Sequence, residues 1–158
     1  TADMTSADLI GVELFRANLA SANLTDADLT DSDLTDADLT DANLTSANLT
    51  DANLSKANLL RANLTGSNLT GADLRFVNIS SANLTNANLS GVILIGVELS
   101  HANLANVILS GANLNGADLS GANLIDANLS GIRAKNLRGC PSSLPRRWVC
   151  DNNSLKQR

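Results

Sequence analysis

Residues 22–41 read Ala22-Asn23-Leu24-Thr25-Asp26, Ala27-Asp28-Leu29-Thr30-Asp31, Ser32-Asp33-Leu34-Thr35-Asp36 and Ala37-Asp38-Leu39-Thr40-Asp41. Each group of five has the same order: a small residue, Asn or Asp, Leu, then two polar residues. The beat extends outward in both directions. From residue 4 to residue 129 every fifth residue is Leu, with Met4 and Ile79 as the only substitutes. A period of five fits neither a 3.6-residue helix nor an alternating strand. An inward pair two residues apart, such as Ala22 and Leu24, is a short extended segment, so the next two residues must turn the chain. A succession of such edges and turns makes a coil, and stacked coils bury a continuous core.

The unit Ala-(Asp/Asn)-Leu-x-x resembles the motif of the pentapeptide-repeat family, and the resemblance spans residues 1–132. It implies an all-β fold: a right-handed quadrilateral parallel β-helix with one pentapeptide per face. Twenty residues then complete a coil, and residues twenty apart lie above one another. The repeats supply about six and a half coils, a rod about 31 Å long at strand spacing. Two regions follow: a β-helix over 1–132 and a C-terminal cap over 133–158. Leu fills the tube, and the small residue two before it lets the backbone close around it. Val12, Val77, Val92, Val97, Val107, Ser32 and Ser67 occupy that small position and are also expected to point inward. A filled tube leaves no room for a ligand. Nine of the ten glycines fall two residues after the central residue, where a turn benefits from the missing Cβ.

The only aromatics among the 158 residues are Phe15, Phe76 and Trp148. A Leu/Ala ladder does not need more. No apolar run approaches membrane-spanning length, so no membrane span is expected. No signal peptide is read either. The start at Thr1, in phase and without an initiator Met, fits either removal of a leader or a shortened chain. Charge divides unevenly. Residues 1–131 hold 15 acids against 4 bases, a net −11, and residues 132–158 hold 7 bases against Asp151, a net +6. Asp and Asn both suit the outward position between the inward pair, so acidity alone does not name a partner.

The beat stops after Gly131: Ile132 keeps its phase, but Ala134 stands where Leu is due. Both cysteines, both prolines and the single Trp follow. The tail reads as a cap in which Leu144, Trp148 and Val149 cover the last coil and Cys140 and Cys150 form a staple. A loop of that length stabilises by roughly 2.5–3 kcal/mol on chain-entropy grounds. Two cysteines do not complete a zinc site, since His101 lies far off in the repeats, and no C-x-x-C redox motif is present. A disulfide implies an oxidising compartment. Cyanobacterial members of the family, some of which resemble this chain in ending with a Cys-stapled cap, imply the periplasm or thylakoid lumen, with the cytoplasm as the alternative. The many Asn-Leu-Thr and Asn-Leu-Ser triplets are accidents of the repeat rather than glycosylation sites.

Several outward features invite a function. Asp26, Asp28, Asp31, Asp33, Asp36, Asp38 and Asp41 lie within sixteen residues. Some family members resemble duplex DNA and protect DNA gyrase, which requires acids along the rod axis. These seven form a belt around one coil instead. Stacked carboxylates such as Asp31 and Asp51, or Asp8 and Asp28, fall short of a calcium cage. A column of Thr5, Thr25, Thr45, Thr65 and Thr85 has the look of an ice-binding array, but Thr also suits any β surface. Outward apolar residues, namely Ile10, Phe15, Leu60, Phe76, Ile93, Ile95, Ile108 and Ile125, are the better interface candidates. Ile93, Ile95 and Ile108 belong to neighbouring faces and form a corner patch. Phe15 and Ile10 offer a weak-dimer surface on the N-terminal coil of an otherwise monomeric rod.

No catalytic, cofactor-binding or metal-binding residue is expected. The single histidine has no nucleophile beside it, and a filled tube has no cleft. The expected function is a non-enzymatic structural or protein-interaction rod of unknown partner, without direct nucleic-acid binding. The alternative is a DNA-mimicking modulator of gyrase or topoisomerase.

Overall fold

The computed structural model describes residues 2–158. Its body is a parallel β-helix. The residue between each inward pair forms a single-residue parallel bridge to the residue twenty further on, from Asp3–Asn23 to Asn113–Arg133. The geometry of one rung explains the period. Leu24 N–H donates to the Asn43 carbonyl at 2.7 Å, and Asn43 N–H donates back to the Ala22 carbonyl at 2.9 Å. Each extended segment thus spends its backbone groups on the coils above and below.

The corners are β-turns closed by a bond from Ala27 N–H to the Leu24 carbonyl at 3.1 Å. The second turn residue has φ near +57° at Asp26, and the same holds at every corner, whether Gly, Asp, Asn, Ser or a bulkier residue occupies it. Positive φ at that place fits a type II turn, which explains the glycine phase seen in the sequence. Phe76 (φ +60°), Lys56 (φ +61°) and Arg61 (φ +57°) occupy the same strained conformation without glycine's freedom.

The tube is filled. From Leu24 to Leu124 the central residues are fully buried, and Val77, Val92, Val97 and Val107 pack inward beside them. Val12 is half-buried in the first coil. Ser32 and Ser67 are buried too, with different outcomes. Ser67 Oγ donates to the Leu64 carbonyl at 2.8 Å, whereas Ser32 Oγ has no partner.

The ladder outlasts the sequence motif. Bridges continue at Asp118–Gly139 and Asn123–Ser143. The first of these spans twenty-one residues rather than twenty, so one residue is looped out. Gly139 permits it: a Cβ there would lie 1.8 Å from Ser120 Oγ and 2.9 Å from Ser120 Cβ. The chain then folds into a hairpin, β1 (Trp148–Asp151) paired antiparallel with β2 (Ser154–Gln157). Asn152 and Asn153 link them with φ +46° and +53°, the two positive values of a type I′ turn.

Candidate functional site: the polar ladders, the apolar face and the cap

The outward polar residues are bonded to one another. Asn23 Oδ1 accepts from Thr25 Oγ1 at 2.7 Å, and Asn43 Nδ2 of the next coil donates to Thr25 Oγ1 at 2.9 Å. The same rung repeats at Asn63 and Thr45, Asn83 and Thr65, and Asn103 and Thr85. The Thr hydroxyls of this column are therefore already engaged, which removes them as a free array for ice. At Ala105 the hydroxyl is missing and Asn123 Nδ2 bonds directly to Asn103 Oδ1 at 3.1 Å.

The acidic belt divides into two kinds of position. Asp26, Asp31, Asp36 and Asp41 occupy the four corners of one coil, and Asp28, Asp33 and Asp38 sit mid-face between them. Mid-face carboxylates take the place of Asn in the rung. The Thr30 hydroxyl, then its backbone N–H, hold Asp28 below the ordinary carboxylate range, and Thr35 does the same for Asp33. At the corners, Asp41 receives two bonds from Arg61 at 2.8 and 2.7 Å, and Arg16 lies 3.7 Å from Asp36. Such exposed pairs contribute about 1 kcal/mol or less. No group of three or more His, Cys, Asp or Glu among the described residues is arranged to hold a metal.

The apolar candidates separate. Ile93 lies in the column of Asp73 and Asn113, and Ile108 in that of Asn88 and Asn128, on the adjacent face. Ile93 (45% exposed) and Ile95 (39%) share their face with Phe76 (65%), whose ring lies against the corner at Gly96. Phe76 thus completes this patch; its place two residues after a central Leu was the sequence signal for it. Phe15 is in the same column as Ile95 but four coils away, so it is no part of the patch. Leu60 is half-buried rather than exposed.

At the C-terminal end Cys140 and Cys150 form a disulfide with Cα atoms 5.9 Å apart. It ties the last ladder turn to β1. Leu144 and Trp148 pack on the core as the composition suggested, but Val149 does not; Leu137 and Leu155 are buried there instead. The hairpin is fastened by backbone bonds from Leu155 N–H to the Ala134 carbonyl (3.0 Å) and from Leu137 N–H to Asn153 (2.9 Å). Arg138 is the other fastener. Its guanidinium donates to the carbonyls of Gly116 (3.1 Å), Gly96 (3.0 Å) and Val97 (3.1 Å), spanning three coils. Sequence reading passed over this arginine because its role depends on the looped-out residue beside it.

The Pentapeptide repeats family matches the chain in eight copies, across 13–51, 22–59, 57–96, 72–111 and 98–133. The chain belongs to the pentapeptide-repeat family. It is similar to HetL, a pentapeptide-repeat protein involved in heterocyst differentiation regulation from the cyanobacterium Nostoc sp. strain PCC 7120. Identity is 33% over 98% of this chain and 75% of HetL, with a TM-score of 0.46. QnrB1 (R167E, trypsin-treated), a plasmid-mediated fluoroquinolone resistance protein, shares the fold at 21% identity, covering 83% of this chain and 76% of its own, with a TM-score of 0.62. A pentapeptide-repeat protein of the Arabidopsis thaliana thylakoid lumen is 30% identical over 78% of this chain and 68% of its own, with a TM-score of 0.36. No protein of curated function matches the sequence. As in the sequence reading, the fold is a quadrilateral β-helix with a stapled end, and no helix among the described residues is long and apolar enough to cross a membrane.

Proposed function

We propose that this chain is a non-catalytic interaction rod whose protein partner docks on the face of Phe76, Ile93 and Ile95, with Ile108 around the corner. One observation carries the reading. Three exposed apolar side chains are contiguous where the same columns in the other coils hold polar, charged or Gly residues, Phe15 of the first coil being the exception. A clustered apolar exception on a polar solenoid is the chemistry of a protein contact. The Cys140–Cys150 bond supports an oxidising compartment as its workplace.

The columns themselves supply fold-neutral test variants. Ile93→Asn takes the residue of Asn113, Ile95→Thr that of Thr35, and Phe76→Gly that of Gly96. A photo-crosslinker at residue 97 is unsuitable because Val97 is buried, so it belongs at exposed Arg75. The wild-type rod should crosslink one discrete protein in extracts of its source. The triple variant, with unchanged melting temperature, should lose that product. Equal yield from both proteins would sink the proposal. The gyrase reading demands acids along the axis, and the belt encircles one coil; accordingly, micromolar protein should leave gyrase supercoiling unchanged.

A further inference from the structure

Charge is graded along the rod. Residues 2–41 hold ten carboxylates against Arg16 alone, a net −9. Residues 42–131 hold five against Lys56, Arg61 and Arg75, a net −2, and residues 132–158 have the net +6 noted above. Coil 22–41 and the last ladder turn lie five coils apart, about 24 Å, so one molecule cannot bring its own ends together.

Each charged end also presents apolar side chains. In the first coil Ile10 (54% exposed) precedes the corner at Gly11, and Phe15 (52%) precedes the next corner at Arg16, whose guanidinium lies 4.7 Å over the Phe15 ring. Asp31 sits in the same column one coil on, and Asp26 is the preceding corner; neither has an ion-pair partner among the described residues. At the opposite end an open groove of about 710 Å³ is lined by Leu144, Trp148 and Val149, with Lys156 and Arg158 along it. Arg146 is exposed beside it and, like Arg158, has no ion-pair partner among the described residues.

We propose that this chain associates with itself head to tail: the cap groove of one copy receives the face of a second copy bounded by Ile10 and Phe15, with Arg146 and Arg158 facing Asp26 and Asp31. Apolar contact supplies affinity, and opposite charge supplies orientation and excludes head-to-head pairing. The two surfaces differ, so the contact is heterologous and leaves a free end on every oligomer. Short linear chains of rods result.

Two charge-reversed variants of the full, oxidised chain test this. Arg146→Glu/Arg158→Glu spoils the tail, and Asp26→Lys/Asp31→Lys spoils the head; Lys and Arg already occupy corners at Lys56 and Arg61. Sedimentation velocity should show wild type growing in mass with concentration at low salt, with an association roughly tenfold weaker at high salt. Each variant alone should associate at least about tenfold more weakly than wild type. Their equimolar mixture offers opposite charge at both contacts, one wild-type and one charge-swapped, and should grow again as an alternating chain. A wild type that stays monomeric at low salt, variants that associate like wild type, or a mixture that stays monomeric would each overturn the proposal. Melting curves confirm that both variants remain folded.

Discussion

In the coil of residues 62–81 every inward side chain has its equivalent twenty residues before and after, and every bridge has a neighbour of the same kind. After Arg133 that regularity ends: two more bridges follow, Asp118–Gly139 out of step by one residue and Asn123–Ser143, and then the ladder stops. There a looped-out residue, a two-residue turn, a disulfide and one long arginine replace the repeat. The middle is stable because its rungs are identical, so a single rung is replaceable in kind but not removable. The end is stable because several unlike fasteners hold a short hairpin over an exposed core, and each can be removed by itself.

The largest test of this contrast is cavity formation. Leu64→Ala, in the fully buried middle, should cost about 3–5 kcal/mol in denaturant unfolding. Leu155→Ala, at the edge of the core, should cost less, about 2 kcal/mol, and should raise amide exchange in the hairpin alone. Equal losses at both sites would erase the distinction. Next in size is the staple. Replacing Cys140 and Cys150 by Ser together should cost roughly 2.5–3 kcal/mol, read as a lower melting temperature for the cap while exchange in residues 42–81 stays slow.

Ser32→Ala should go the other way. It removes a buried hydroxyl with no partner, so the rod should gain about 1 kcal/mol, whereas Ser67→Ala, which loses a bond to the Leu64 carbonyl, should be close to neutral. The smallest expected effect is on pH. Asp28 and Asp33 have folded pKa values below their unfolded ones, so their contribution is present above about pH 4 and is lost as pH falls through the depressed folded values. Asp28→Asn with Asp33→Asn should flatten the acid limb of the stability curve and leave the cap's exchange unchanged. An unaltered acid limb would mean that the Thr30 and Thr35 bonds do not favour the ionised form.

The ladder was legible from residues alone because one spacing encodes it: Leu every five residues settles which side chains enter the tube and which corner takes positive φ. The acidic belt and the separation of Ile93 from Ile108 followed from the same arithmetic. The cap was only half legible. Cys140 and Cys150 announced themselves as the chain's only cysteines, but the burial of Leu137 and Leu155 rather than Val149 depends on the residue looped out before Gly139. That shift is a matter of packing against Ser120, which no periodicity records. Phe76, by contrast, was legible as an outward residue two after Leu74, and its ring lies against Gly96, the next corner of its own column.

The bridge spacing of twenty has a consequence for the length of the molecule. Excising residues 42–61 would place Asp41 directly before Ala62 with every bridge still in phase, while excising any other number of residues that is not a multiple of twenty would set unlike faces over one another. Length is therefore adjustable in whole coils, each moving the two ends by about 4.8 Å without altering either of them. The rod is a ruler with one graduation, and its reach is free to change while its ends stay the same.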